Sequence, residues 1–173
     1  MAIKHLAKLL NLTCITKTVA SLRSDLNVPS CENQPVRIFQ PSFRDFLLDS
    51  QRCLDSRIWM DAAESHILLF RKCMELISTL RQDLCDLREP GILLSNIPND
   101  NIQQNIPTHI LYTCRYWFNR FQQGNPSKKT SYDQILRFLK HHFLHWIETL
   151  ALVGEVSGGV LSITGLEVTL AVR

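Results

Sequence analysis

Apolar residues recur along this chain at steps of three and four, the spacing that puts side chains on one face of a helix. Residues 2–26 read as two helices, the first marked by Leu6, Leu9 and Leu10, the second by Ile15, Val19, Leu22 and Leu26. A polar, proline-bounded stretch from Asn27 to Pro35 stops the second. Val36–Phe39 is a short β-prone run that leads through Pro41 and Ser42 into a helix carrying Phe43, Phe46, Leu47 and Leu48. Ser42 with Asp45 three residues on has the form of a capping box, which satisfies the open amides of a helix start. A second β-prone run, Arg57–Met60, is placed to pair with the first.

Asp61, with Glu64 in the reciprocal position, predicts the start of a long helix whose stripe is Ile67, Phe70, Met74, Ile77 and Leu80. Pro90-Gly91 breaks the pattern, and residues 92–106 read as loop or short helical turns. Pro107 suits a helix start. Ile110, Cys114, Trp117 and Phe121 then line one face as far as Gly124-Asn125-Pro126. Ser131 with Gln134 predicts a cap for a last long helix, striped by Ile135, Leu139, Phe143, Trp146 and Leu150 up to Gly154. Residues 160–172 are ambiguous: Leu166, Val168, Leu170 and Val172 alternate as in a strand, with little for a lone strand to pair with.

With 173 residues, 45% apolar and 20% charged, the chain can bury a real core. The net charge of +3 is small and its basic residues are scattered, Arg71-Lys72 and Lys128-Lys129 being the only adjacent pairs, so no basic stripe points to nucleic acid. Six cysteines lie at least ten residues apart, with no CxxC to open a zinc site, and reduced thiols are the expectation. Cys73 and Cys114 fall on the helical stripes as small core hydrophobes. No signal-peptide run follows Met1, and the most apolar window, Phe143–Val153, contains His145 and Glu148, which excludes a membrane span there; a soluble, cytoplasmic chain is expected.

Candidate chemistry is sparse. A phosphate-cradling loop needs clustered glycines before a lysine, and Gly158-Gly159 is followed by Val160 and Leu161. His141, His142, His145 and Glu148 form the best metal candidate, with His141, His145 and Glu148 on one helical face, although the order differs from HExxH and the residues interleave with Phe143 and Trp146. Histidines at the edge of the core, bonded to neighbouring helices, are the preferred reading, and no metal is expected. Ser42 sits on a strand-to-helix turn, but Gln40-Pro41-Ser42-Phe43-Arg44 lacks the glycines of a nucleophile elbow. Trp59, Trp117 and Trp146 read as core anchors and not as a base-stacking platform.

Several segments, taken in order, resemble one family. They are residues 36–49 (Val-Arg-Ile-Phe-Gln-Pro-Ser-Phe-Arg-Asp-Phe-Leu-Leu-Asp), Trp59, His66, Cys85-Asp86-Leu87, Pro90-Gly91, residues 112–117 (Tyr-Thr-Cys-Arg-Tyr-Trp) and residues 142–150 (His-Phe-Leu-His-Trp-Ile-Glu-Thr-Leu). Together they look like the region that follows the nucleotide-binding domain in fungal NACHT-type signalling NTPases, among them vegetative-incompatibility proteins that often carry WD40 repeats. The resemblance runs from about residue 3 to about residue 166.

What the resemblance implies is a mainly α fold: a winged-helix-like part with a short β-hairpin over residues 1–60, then a helical bundle over 61–173 that stops short of the family's repeats. The winged helix of such switches folds against the nucleotide-binding core in the ADP-bound resting state. A histidine ending the strand before the Ser-Phe-Arg-Asp-Phe-Leu helix usually reaches the ADP phosphates there. Gln40 holds that position, and a neutral amide lacks the charge that makes a bond to phosphate about twice as strong. The family's phosphate-binding loop would precede residue 1, so the chain is expected to have no catalytic residues and no cofactor, and to act by protein contacts with a nucleotide-binding domain in cis or in trans. A fragment, a remnant and a small regulator all fit. The alternatives are a DNA-binding winged helix, against which residues 42–49 set two aspartates and one arginine, and a metal-dependent hydrolase on His141, His145 and Glu148.

Overall fold

The computed structural model describes residues 3–12, 26–27, 34–55, 58–88, 91–125 and 129–171. Among them run α1 (Ile3–Leu10), β1 (Leu26–Asn27), β2 (Arg37–Ile38), α2 (Pro41–Leu48), α3 (Ala62–Ile77), a 3-10 turn (Leu94–Asn96), α4 (Asn99–Asn105), α5 (Thr108–Gln123), α6 (Lys129–His141), α7 (Phe143–Leu152) and α8 (Val156–Ala171). The described chain is mainly helical, with a small antiparallel strand pair early on.

That pair differs from the expected one. β2 pairs with β1, Leu26 opposite Ile38 and Asn27 opposite Arg37. Leu26 is thus a strand residue and not the end of a second helix; the other markers of that helix, Ile15, Val19 and Leu22, lie outside the described residues. The run ending at Met60 cannot pair with β2, because its backbone donors are committed elsewhere. The Ile58 and Trp59 amides turn back onto the Asp55 carbonyl at 3.1 and 2.9 Å, and the Met60 amide donates to the Leu47 carbonyl at 2.9 Å.

Helix α2 starts one residue before the expected cap. Pro41 occupies its first turn, where a fixed φ and a missing N–H cost nothing, so Gln40 is the N-cap and Ser42 lies inside the helix. Asp61, in contrast, caps α3 as expected: its Oδ1 accepts the Glu64 amide at 3.0 Å.

The core is built on α3 and α5, each 16 residues long. Phe70, Cys73, Met74 and Ile77 of α3 face Ile110, Cys114, Trp117 and Phe121 of α5, all buried, and the Phe70 and Phe121 rings lie 5.2 Å apart. Helix α1 packs on both and inserts Leu9. The predicted final helix is in fact two. α6 starts at Lys129, which leaves Ser131 buried within the helix and not capping it, and the chain bends at His142 (φ −127°, ψ −1°) before α7. The bend lets Phe138 and Trp146 both face Trp117, at centroid distances of 5.1 and 6.0 Å. The Trp146 indole Nε1 donates to the Cys114 carbonyl at 2.9 Å, which satisfies the one polar atom of a fully buried ring.

The ambiguous tail is a helix as far as Ala171, Val172 lying outside the described residues. A lone strand would leave its ladder groups unpaired, whereas α8 satisfies its backbone internally. Two glycines seat it: a Cβ on Gly159 would stand 2.6 Å from Leu150 Cδ1, and one on Gly165 would stand 2.5 Å from Phe118 Cε1. Arg115 of α5 forms a two-pronged ion pair with Glu155, just before α8. No described helix is long and apolar enough to cross a membrane.

Candidate functional site

Gln40 is exposed at the mouth of α2. Its carbonyl accepts the Phe43 amide at 3.0 Å, while its side chain makes no capping bond and is left to the surface.

Basic groups also come together on α3 and α5, with Arg44 of α2 near enough for its charge to act on them. Tyr112, Tyr116 and Arg120 follow one another at steps of four along α5, so they share a face. The Arg120 guanidinium lies 5.8 Å from the Tyr112 ring centre and donates from Nε to the Tyr112 hydroxyl at 2.9 Å. Its Nη1 reaches Gln123 Oε1 at 3.2 Å and His66 Nδ1, on α3, at 3.2 Å. A guanidinium has only donors, so His66 Nδ1 must accept and the ring proton belongs on Nε2. The His66 pKa is lowered accordingly, by burial first and then by the charges of Arg120 and Arg44, the latter reaching across from α2.

A second site of interest lies where α1 crosses α5. His109 is buried, and its Nδ1 lies 3.5 Å from His5 Nδ1 with the rings stacked. Burial, then the charges of Lys8 and His5, push the His109 pKa down to about 4.

His141, His145 and Glu148 do not converge. His141 is exposed at the end of α6, and the Glu148 carboxylate is engaged by the Asp83 amide at 3.0 Å, so it holds a loop in place. Among the described residues no three His, Cys, Asp or Glu side chains are grouped to hold a metal ion. The expected bonds from these histidines to neighbouring helices are also missing: His142 and His145 stack edge-on at 6.0 Å, and the Nδ1 atoms of both are buried with no partner among the described residues.

The loop that Glu148 holds is tightly wound. Asp83, Asp86 and Arg88 all have positive φ near 50–60°, a region few non-glycine residues adopt. Asp83 stabilises it by accepting the Leu87 and Arg88 amides at 2.6 and 2.9 Å. This loop borders a cleft of about 560 Å³ with Ile92, Leu94 and Leu152. A comparable cleft of about 590 Å³ opens beside the start of α3, between Trp59, Leu68 and Asn125. Trp59 therefore lines a half-buried groove, whereas Trp117 and Trp146 are the core anchors expected of them.

The four described cysteines (53, 73, 85 and 114) are free thiols. Burial pushes Cys73 up to about 11 and Cys114 up to about 12, which keeps both protonated at neutral pH and removes them as nucleophiles. The Arg120 cluster was not evident from the sequence. The spacing of Tyr112, Tyr116 and Arg120 was the available signal, but the contribution of His66 depends on the packing of α3 on α5 and that of Arg44 on where the chain brings α2.

No family model matches the chain, and no solved structure matches it. Among curated proteins it is 27% identical over 111 residues to the vegetative incompatibility protein HET-E-1 of Podospora anserina. The match takes in 60% of this chain and 8% of that protein, so the chain spans a small part of its relative's length.

Proposed function

We propose that this chain is a non-catalytic, protein-contacting regulatory segment of a fungal NACHT-type signalling protein of the vegetative-incompatibility kind. The observation that supports it best joins sequence to packing. Two segments of the resemblance, residues 112–117 and 142–150, meet in the core through the Trp146–Cys114 hydrogen bond. The distant similarity to HET-E-1 points the same way. In this reading residues 1–60 are a winged-helix-like lever, residues 61–173 are the bundle that carries it, and both work in the cytoplasm against a nucleotide-binding domain, with no role for nucleic acid or membrane. Gln40 stands at the nucleotide-facing end of the lever as a weakened sensor.

The test mixes the purified chain with a separately produced NACHT-type nucleotide-binding domain carrying ADP. Co-migration on size exclusion is expected, with slower ADP release for Gln40→His than for wild type because a protonated imidazole adds a charge-assisted bond. No complex at micromolar concentrations would remove the partner assignment. A complex with equal ADP release in both forms would remove the role of Gln40.

A further inference from the structure

A guanidinium partly withdrawn from water is ordinarily set against a carboxylate, because neutral hydrogen bonds compensate poorly for lost hydration. Arg120 is half-buried, yet its described partners are a phenol, an imidazole and an amide. The ion pairs among described residues all lie elsewhere. Counting its hydrogens sharpens the point. Nε is taken by Tyr112 and both Nη1 hydrogens by His66 and Gln123, which leaves the two Nη2 hydrogens with no described protein acceptor. His66, accepting at Nδ1, keeps a donor at Nε2. Arg44 adds a second permanent charge from α2. No carboxylate is among the groups acting on His66 or on Tyr112.

We infer that Arg44, His66 and Arg120 form a binding site for a phosphate-type dianion, either free or carried by a small molecule. Charge complementarity selects the class. Two arginines with no described counter-charge balance a group of charge about −2, such as a phosphate near neutral pH, whereas a single carboxylate would leave one positive charge over. The Tyr112 hydroxyl and the Gln123 amide hold the Arg120 fork in one orientation, so its Nη2 donors are presented without further ordering. This site needs neither Gln40 nor a nucleotide-binding domain, and it stands or falls separately from the function proposed above.

The isolated chain tests it. Inorganic phosphate is titrated at low salt while the His66 imidazole signals are followed by NMR, with acetate as a parallel arm. Phosphate is expected to shift those signals saturably and to raise the His66 pKa, since it neutralises the two cations that depress it. Arg120→Gln is expected to weaken phosphate binding about ten- to a hundredfold, the range for hydrogen bonds to charged groups. Arg44 is exposed, so Arg44→Gln leaves the fold alone and is expected to weaken binding about severalfold. Arg52→Gln, on an exposed turn, should change nothing. Pyrophosphate binding more tightly than phosphate would identify the carried form, and equal or weaker binding the free ion. No His66 response, an equal response to acetate, or undiminished binding in Arg44→Gln and Arg120→Gln overturns the site.

Discussion

Helices α5 and α8 are both 16 residues long, and α8 is the more apolar, yet α5 is the one the core is built on. Seven residues of α5 are buried (His109, Ile110, Thr113, Cys114, Trp117, Phe118 and Phe121), against Gly159 and Leu166 in α8. The difference lies in arrangement. The large residues of α5 fall on one stripe. Those of α8 are spread around its circumference, so Val160, Leu161 and Val168 point to solvent whichever face docks. Large side chains anchor α5, whereas α8 relies on two glycines that let its backbone lie close to Leu150 and Phe118.

The comparison breaks most visibly at Trp117. Trp117→Ala empties the centre of the aromatic cluster and is expected to cost about 3–5 kcal/mol, read as a lower urea midpoint. A loss below 1 kcal/mol would mean that α5 does not carry the core.

Next comes the titratable histidine that α5 buries. The unfolded chain protonates His109 near its ordinary 6.5, whereas the folded chain resists until about 4. Over that window the unfolded state holds more protons, so stability falls as pH drops through 6.5 and levels off below about 4. The span sets an upper bound of about 3 kcal/mol on the loss, since solvent screens part of the effect of the neighbouring charges. Urea titrations at pH 7 and pH 4.5 should show the slope, and His109→Gln should flatten it. An unchanged slope in that variant would assign the titration elsewhere.

Gly165→Ala probes the seat of α8. Its new methyl must displace the Phe118 ring, at an expected cost of about 1–3 kcal/mol in thermal unfolding. A neutral result would show that α8 stands further from α5 than described. The smallest effect belongs to the outer face: Leu161→Gln should stay within about 0.5 kcal/mol. A loss of several times that would show that Leu161 is covered in solution.

The sequence made α5 and α3 legible because their stripes are regular and Asp61 is followed by Glu64 at capping distance. It did not make α8 legible. Leu166, Val168 and Leu170 alternate, but on a helix Leu166 and Leu170 share a face while Val168 turns away, and only Leu166 is buried. The bend at His142 was hidden because the buried positions Ile135, Phe138, Trp146 and Leu150 keep a helical period across it. Ser42 misled because Pro41, one residue earlier, starts the helix as well as a side-chain cap would. The basic cluster needed three dimensions: Arg44, His66 and Arg120 are separated by 22 and 54 residues in the chain (66 − 44 and 120 − 66).

The Trp146 hydrogen bond also has a mechanical consequence. Apolar side chains tolerate slippage, since one greasy contact replaces another at little cost. An indole N–H has a single address. Sliding α7 along α5 by one residue, about 1.5 Å, would strand that hydrogen in a dry interior at a cost of about 1–3 kcal/mol. The bond therefore works as a detent: a thrust applied to one helix moves its neighbour in step, and is not spent as creep between them.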